Sequence, residues 1–209
     1  MALINGKPFL EYLLNFLTGQ GIRKVILSVG FRQEVIRDHF SDHFKTLTLS
    51  YAIEEEPLGT GGGILNALSQ VEEENVFTLN GDSMFRIDLR AMQLLHTSSG
   101  ADITIALSCL EDPSRYGKVK IDHEKRIIGF SEKDQNSSSG YINGGIYLIN
   151  KSFFMKHAPG LKFSIEHEGF EMWRREAKIY GYPAKGYFID IGVPDDYMAA
   201  QDEFKRFED

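Results

Sequence analysis

The sequence predicts an α/β fold, a mixed and mostly parallel sheet with helices on both faces and a small β-rich lobe. Three observations predict it. In the first half, short apolar runs alternate with stretches of helical periodicity, as at 25–29 then 33–40 and 76–79 then 89–97. In the second half the apolar runs are short and separated by turn residues, the pattern of a β-rich lobe around 110–150 and 160–190. No linker or internal repeat divides the 209 residues, so 1–209 reads as one Rossmann-like domain.

Each element has a local reason. Residues 8–17 carry helical apolar spacing, with Pro8 at the start and Gly19 and Gly21 past the end. A strand at 25–29 and a helix at 33–40 follow. Residues 47–53 alternate apolar and polar, like a strand, and 64–71 read as helix. A buried strand at 76–79 runs into Asn80-Gly81-Asp82, then a helix at 89–97 and a strand at 103–107. Strands at 118–121 and 126–130 flank Asp122-His123-Glu124-Lys125, a hairpin signal. The strand at 141–149 is interrupted by Gly144-Gly145, which predicts a bulge or a close backbone approach to a ligand. Strands at 179–183 and 187–191 precede a closing helix at 195–207, with Asp195 or Asp196 placed to cap it.

Composition excludes several classes. Apolar residues make up 42% and charged residues 25%, which is globular and not disordered. The net charge of −7 argues against a nucleic-acid partner, whose phosphates need a basic face. Cys109 is the single cysteine, so no intrachain disulfide exists, as suits a reducing compartment. No apolar run would span a bilayer, and the N-terminus lacks the pattern of a signal peptide, so a cytoplasmic location without a membrane partner is expected.

Chemistry concentrates at strand ends. Asp82 and Asp190 each fall where a strand should stop, and open α/β sheets bind ligands there. Together, two carboxylates would make a hard-oxygen site for Mg²⁺, a phosphate-handling ion. Singly, each reads equally well as a turn residue. Residues 57–63, Pro-Leu-Gly-Thr-Gly-Gly-Gly, lie between a strand and a helix, either as a plain turn or as a backbone cradle for an anion. Glu132-Lys133 reads either as a solvated ion pair or as a carboxylate for sugar hydroxyls beside an ammonium for phosphate. Asn143 adds an amide that can hydrogen-bond a polyol.

Taken in order, Glu-Pro-Leu-Gly-Thr-Gly-Gly, Asn-Gly-Asp, Glu-Lys, Asn-Gly-Gly-Ile-Tyr and Asp-Ile-Gly-Val-Pro-Asp-Asp-Tyr resemble the sugar-phosphate nucleotidyltransferase family over nearly the whole chain. Within it the series looks most like the D-glycero-D-manno-heptose 1-phosphate guanylyltransferases. Mannose-1-phosphate guanylyltransferases and uridylyl- and thymidylyltransferases are similar at the level of motifs. The resemblance implies that a sugar 1-phosphate attacks the α-phosphorus of a nucleoside triphosphate and pyrophosphate leaves, here giving GDP-heptose from GTP. It implies that Asp82 and Asp190 hold Mg²⁺ and that Lys133 contacts the sugar phosphate. Glu132 and Asn143 would take the sugar hydroxyls, with Gly81, Gly117 and Gly144 lining that side. Glu54, Pro57, Gly59 and Thr60 match the stretch that reads the base. A carboxylate at Glu54 can accept from guanine N1–H and N2–H₂, whereas uracil or thymine offers one donor.

One departure stands out. Family members begin with a strand and a loop of Gly-Gly-x-Gly-Thr-Arg-Leu type followed by Pro-Lys-Pro, and this chain opens on the segment that matches what comes after. The expectations are weak turnover by the 209-residue chain itself, lowered stability, and two open strand edges that invite association, such as a homodimer. A non-catalytic sugar-phosphate-binding relative is the alternative of another class.

Overall fold

The structure, a computed structural model, describes residues 1–131 and 139–207, and every statement below concerns those residues. The chain opens with a small antiparallel hairpin, β1 (Leu3–Ile4) and β2 (Lys7–Pro8), turned by Asn5 and Gly6 at positive φ. Pro8 leads into α1 (Phe9–Gly19), which buries Phe9, Tyr12, Leu13, Leu14 and Leu17 along one face. Next come β3 (Lys24–Val29), α2 (Gln33–Phe40), β4 (His43–Phe44) and β5 (Leu47–Ile53). β5 lies between β3, parallel to it, and the short antiparallel β4.

Then follow α3 (Gly59–Leu68), β6 (Asn75–Leu79), β7 (Ser83–Phe85) and α4 (Leu89–Ser99). The Asp88 side chain accepts from Ala91 N–H at the start of α4, and Gly100 at φ 58° ends it. The second half contains β8 (Ile103–Leu110), β9 (Lys118–Ile121), β10 (Ile127–Ser131), β11 (Gly140–Asn150) and α5 (Lys151–His157). A π-helical turn (Ile165–Gly169) runs directly into α6 (Phe170–Trp173). The chain closes with β12 (Ile179–Ala184), β13 (Phe188–Asp190), α7 (Pro194–Glu203) and a 3₁₀ turn (Phe204–Phe207).

The largest sheet runs β10-β9-β11-β8-β12, with β6 alongside the second half of β11. Successive residues of a strand face opposite sides, and β8 and β11 show it. Ile103, Ile105, Leu107, Tyr147 and Ile149 pack with Leu68, Phe154, Phe170 and Trp173 on one side. Ala106, Ile146 and Leu148 pack with Leu14, Leu89 and Met92 on the other. Helices therefore cover both faces, as the alternation predicts. A third cluster of Ile4, Phe9, Ile189, Ala200 and Phe204 ties the opening hairpin to β13 and α7.

Several expectations need correction. The mixed α/β class is present, but parallel pairing is confined to β3·β5 and β8·β12 among the described strands. The reason is β11, which enters the middle of the large sheet antiparallel to β6, β8 and β9. The β-rich lobe is continuous with the large sheet, since β9 and β10 extend it. Between 160 and 178 the regular structure is helical, over 165–173, with Phe163, Ile165, Phe170 and Trp173 drawn into the core. α7 starts at Pro194 without a side-chain cap, and Asp196 pairs with Arg115 instead.

The expected open edges are present. β3 pairs with β5 and β6 with β11, each on one side only among the described residues. Val25, Ile26 and Leu27, and likewise Val76, Phe77 and Leu79, are only half-buried, whereas Ile103 to Leu107 of β8 are fully buried. A strand with neighbours on both sides in such a sheet is normally buried throughout.

Candidate active site

β7 and β13 pair antiparallel, with Asp190 opposite Ser83. Ile191 N–H donates to the Asp82 carbonyl at 2.9 Å, which extends the ladder past both aspartates. A β-carbon placed on Gly192 would stand 2.9 Å from Asp190 Oδ1 and 3.8 Å from Asp82 Oδ2, so both carboxylates flank one point. Gly192 N–H donates to Asp190 Oδ1 at 2.8 Å, and Ser83 Oγ–H donates to Asp82 Oδ1 at 3.2 Å. Burial raises the Asp190 carboxyl above the usual carboxylate range, and the charges of Asp82 and Asp196 push the same way. The Gly192 amide and the Arg115 guanidinium oppose the shift. No group of three or more His, Cys, Asp or Glu side chains is arranged for a metal among the described residues. Two carboxylates around one point offer hard oxygen donors, fewer than a divalent cation's full shell of about six.

The loop carrying Asp82 is held by β11. Asn80 N–H donates to the Gly145 carbonyl at 2.9 Å. Gly145 sits at φ 72° where the β11–β8 register shifts, the predicted bulge. Asn143 is half-buried there, with Oδ1 accepting from Gly145 N–H at 3.0 Å and Nδ2–H donating to Tyr147 Oη at 2.9 Å. The room Gly144 leaves is filled by the Phe85 ring, 2.4 Å from where a β-carbon would lie. Gly81 is an open turn, and Gly117 lies against the Ser131 carbonyl. Glu132 and Lys133 lie outside the described residues.

On the other flank, Glu54 follows β5. Its Oε1 accepts from Ser28 Oγ–H at 2.7 Å and its Oε2 from Leu58 N–H at 3.0 Å, which fixes the loop containing exposed Pro57. α3 begins at Gly59, five residues before the expected 64, because residues 161–164 pack on the glycines. Gly59 and Gly62 face the Phe163 and Leu161 carbonyls, and Gly61 faces the Phe163 ring. The Gly61 and Gly62 N–H groups donate to the Phe163 carbonyl at 2.9 and 3.3 Å, so these amides are spent on the chain itself. Thr60 donates to Glu166 at 2.5 Å and accepts from Ile165 N–H at 3.0 Å.

Sequence reasoning did not single out Glu166, Tyr147, Phe163 or Arg115, which the fold brings into the site. Glu166 and Thr60 are far apart in sequence, and no spacing rule links them. The order of Asn-Gly-Gly-Ile-Tyr does carry Tyr147, two residues beyond the bulge and on the same side as Asn143.

The chain is 44% identical over 207 residues to a D-glycero-alpha-D-manno-heptose 1-phosphate guanylyltransferase of Aneurinibacillus thermoaerophilus, covering 99% of this chain and 89% of that one. It is also 44% identical over 200 residues to the enzyme of the same name from Campylobacter jejuni subsp. jejuni, covering 94% and 86%. The crystal structure of HddC from Yersinia pseudotuberculosis matches at TM-score 0.87 and 33% identity, covering 98% of this chain and 88% of that one. HddC complexed with GMP-PN matches at 0.86. Residues 1–206 match the family described as Nucleotidyl transferase, and to that family this chain belongs.

Proposed function

We propose that this protein transfers a guanylyl group from GTP to D-glycero-D-manno-heptose 1-phosphate, forming GDP-heptose and pyrophosphate. The observation that carries the reading is the pairing of Asp82 with Asp190 around one point at a strand edge. The likeness to two heptose 1-phosphate guanylyltransferases over nearly the whole chain supports the sugar, and HddC with GMP-PN supports the base.

A phosphate oxygen of the sugar 1-phosphate attacks the α-phosphorus of GTP. The bond to the α–β bridging oxygen breaks, and pyrophosphate leaves with the electron pair. The protein's part is positioning and charge compensation. Asp82 and Asp190 are the residues that would hold Mg²⁺, and their oxygen chemistry and mutual repulsion fit such an ion. When bound, Mg²⁺ offsets the charge that builds on the phosphates. Asn143 keeps a second amide hydrogen and a second lone pair for a sugar hydroxyl beyond the bonds it already makes. Glu132 is assigned to sugar hydroxyls and Lys133 to the sugar phosphate, with Gly81, Gly117 and Gly144 on that side. Glu54 retains lone pairs for guanine N1–H and N2–H₂, beside a base-side stretch of Pro57 and, at the start of α3, Gly59 and Thr60.

We place the reaction in the cytoplasm, where nucleoside triphosphates are made. No helix among the described residues is long and apolar enough to cross a membrane. The open edges of β3 and β6 support a homodimer, which sedimentation velocity at two concentrations tests. Pyrophosphate release with GTP, UTP or dTTP against heptose, mannose or glucose 1-phosphate tests the substrates. GTP with heptose 1-phosphate is expected to exceed every other pair in kcat/KM by about 10-fold or more. A preference for UTP, dTTP or another sugar contradicts the reading.

A further inference from the structure

Glu166 has no part in the mechanism above, yet three hydroxyls converge on it. Thr60 and Ser164 donate to Oε2 at 2.5 and 3.0 Å, and Tyr147 donates to Oε1 at 3.0 Å. It sits in the π-helical turn, a local irregularity that proteins often keep at functional sites. Thr60 belongs to the base-side stretch, in the first turn of α3 that follows its loop. Tyr147 lies one bond from Asn143, and the Asn80 side chain bears on the same phenol oxygen. The carboxylate therefore joins the base-side stretch, the sugar-facing amide and the loop that carries Asp82.

The direction of these bonds matters. An ionised carboxylate only accepts, so the single Tyr147 proton is committed to Glu166. The phenol oxygen can then only accept, which turns the Asn143 NH₂ toward it and leaves Asn143 Oδ1 to the Gly145 N–H. Burial and the Glu166 charge both push the Tyr147 phenol well above its ordinary range, so it stays a proton donor.

We propose that Glu166 is a positioning residue for the sugar 1-phosphate, setting the orientation of the Asn143 amide through Tyr147. The proposal rests on the sugar-site assignment of Asn143 made above. Replacement by Gln separates the two sides of the network. Its amide oxygen can still accept from Thr60 and Ser164, but its NH₂ then faces Tyr147, reverses that bond and turns the Asn143 amide.

The test is equilibrium binding of heptose 1-phosphate and of GTP, by calorimetry, beside thermal unfolding. For Glu166→Gln the sugar-phosphate Kd is expected to rise about 10-fold or more, with the GTP Kd within about two-fold. Tyr147→Phe, which leaves Glu166 with Thr60 and Ser164, is expected to give the same loss and serves if the Gln variant does not fold. Combining the two should add nothing further, as for residues acting in series. An unchanged sugar Kd, equal losses for both ligands, or additive losses overturns the inference. Failure of the unmodified protein to bind heptose 1-phosphate contradicts the functional reading itself, and the inference with it.

Discussion

The packing of residues 161–164 on the glycine run predicts a large penalty at one position. In Gly61→Ala the new methyl would stand 2.2 Å from Phe163 Cε2, far inside van der Waals contact. The ring is 3% exposed, with ring centres 6.0 Å from Phe154 and 6.1 Å from Trp173, so it has little room to yield. Two effects compete. Alanine for glycine inside a helix favours folding by about 1 kcal/mol. Overpacking a tight core costs about 1–3 kcal/mol, and expelling a phenyl ring outright costs about 3–5 kcal/mol. At 2.2 Å from a ring held on both sides the upper half of the overpacking range applies, so crowding wins with a net loss of about 1–2 kcal/mol and a Tm lower by roughly 2–8 °C. Gly81→Ala, whose methyl would meet nothing within 4 Å, is the control and should change stability by less than about 0.5 kcal/mol. Paired with Phe163→Leu, Gly61→Ala should recover about 1 kcal/mol or more in a double-mutant cycle read by urea unfolding. A Gly61→Ala protein as stable as the parent would refute the seam.

Two further positions give distinct readouts. His96 is buried, hydrogen-bonded to Thr104 Oγ1 at 2.9 Å and Asn75 Oδ1 at 3.1 Å, and burial lowers its pKa against a smaller opposing pull from Asp102. The folded state then binds fewer protons than the unfolded one below about pH 6.5, so stability falls as pH drops from there toward the lowered folded value and is flat above. His96→Gln should show a shallower loss of Tm between pH 7.5 and 5, and an unchanged slope would remove the linkage. Gly192→Ala would put a methyl 2.9 Å from Asp190 Oδ1 and 3.8 Å from Asp82 Oδ2, in the space between the carboxylates. Mn²⁺ affinity by water-proton relaxation should drop by about 10-fold or more, with Tm within a few degrees; intact Mn²⁺ binding contradicts the shared point.

The pattern of the sequence reached the frame because two periodicities dominate it. α2 and β5 occur over the expected 33–40 and 47–53. The early start of α3 carried no such signal, since glycines have no apolar period, and its helix depends on a segment a hundred positions away. The stretch from Phe153 to Trp173 is aromatic without a clean period, and it folds as short helices because those rings complete one core. At the site, Asp82 and Asp190 were legible because each follows an apolar strand. Glu166 was not, because a carboxylate beside His167 and Glu168 looks like any solvated residue until Thr60 and Tyr147 are brought to it. The glycine motifs were visible as motifs, but their physical work is partly internal. Gly61 and Gly62 serve Phe163, and Gly144 serves Phe85.

The account stands on the two aspartates forming one cation site, and neutralising each in turn tests it most directly. Turnover and Mn²⁺ binding should be measured on Asp82→Asn and Asp190→Asn, alongside Tm. Both variants are expected to lose turnover by about 10²–10³-fold or more and to lose Mn²⁺ binding. Asp190→Asn should keep or raise Tm, because a half-buried carboxylate facing Asp82 is replaced by a neutral amide. Turnover within about two-fold of the parent in either variant would contradict the paired-carboxylate site.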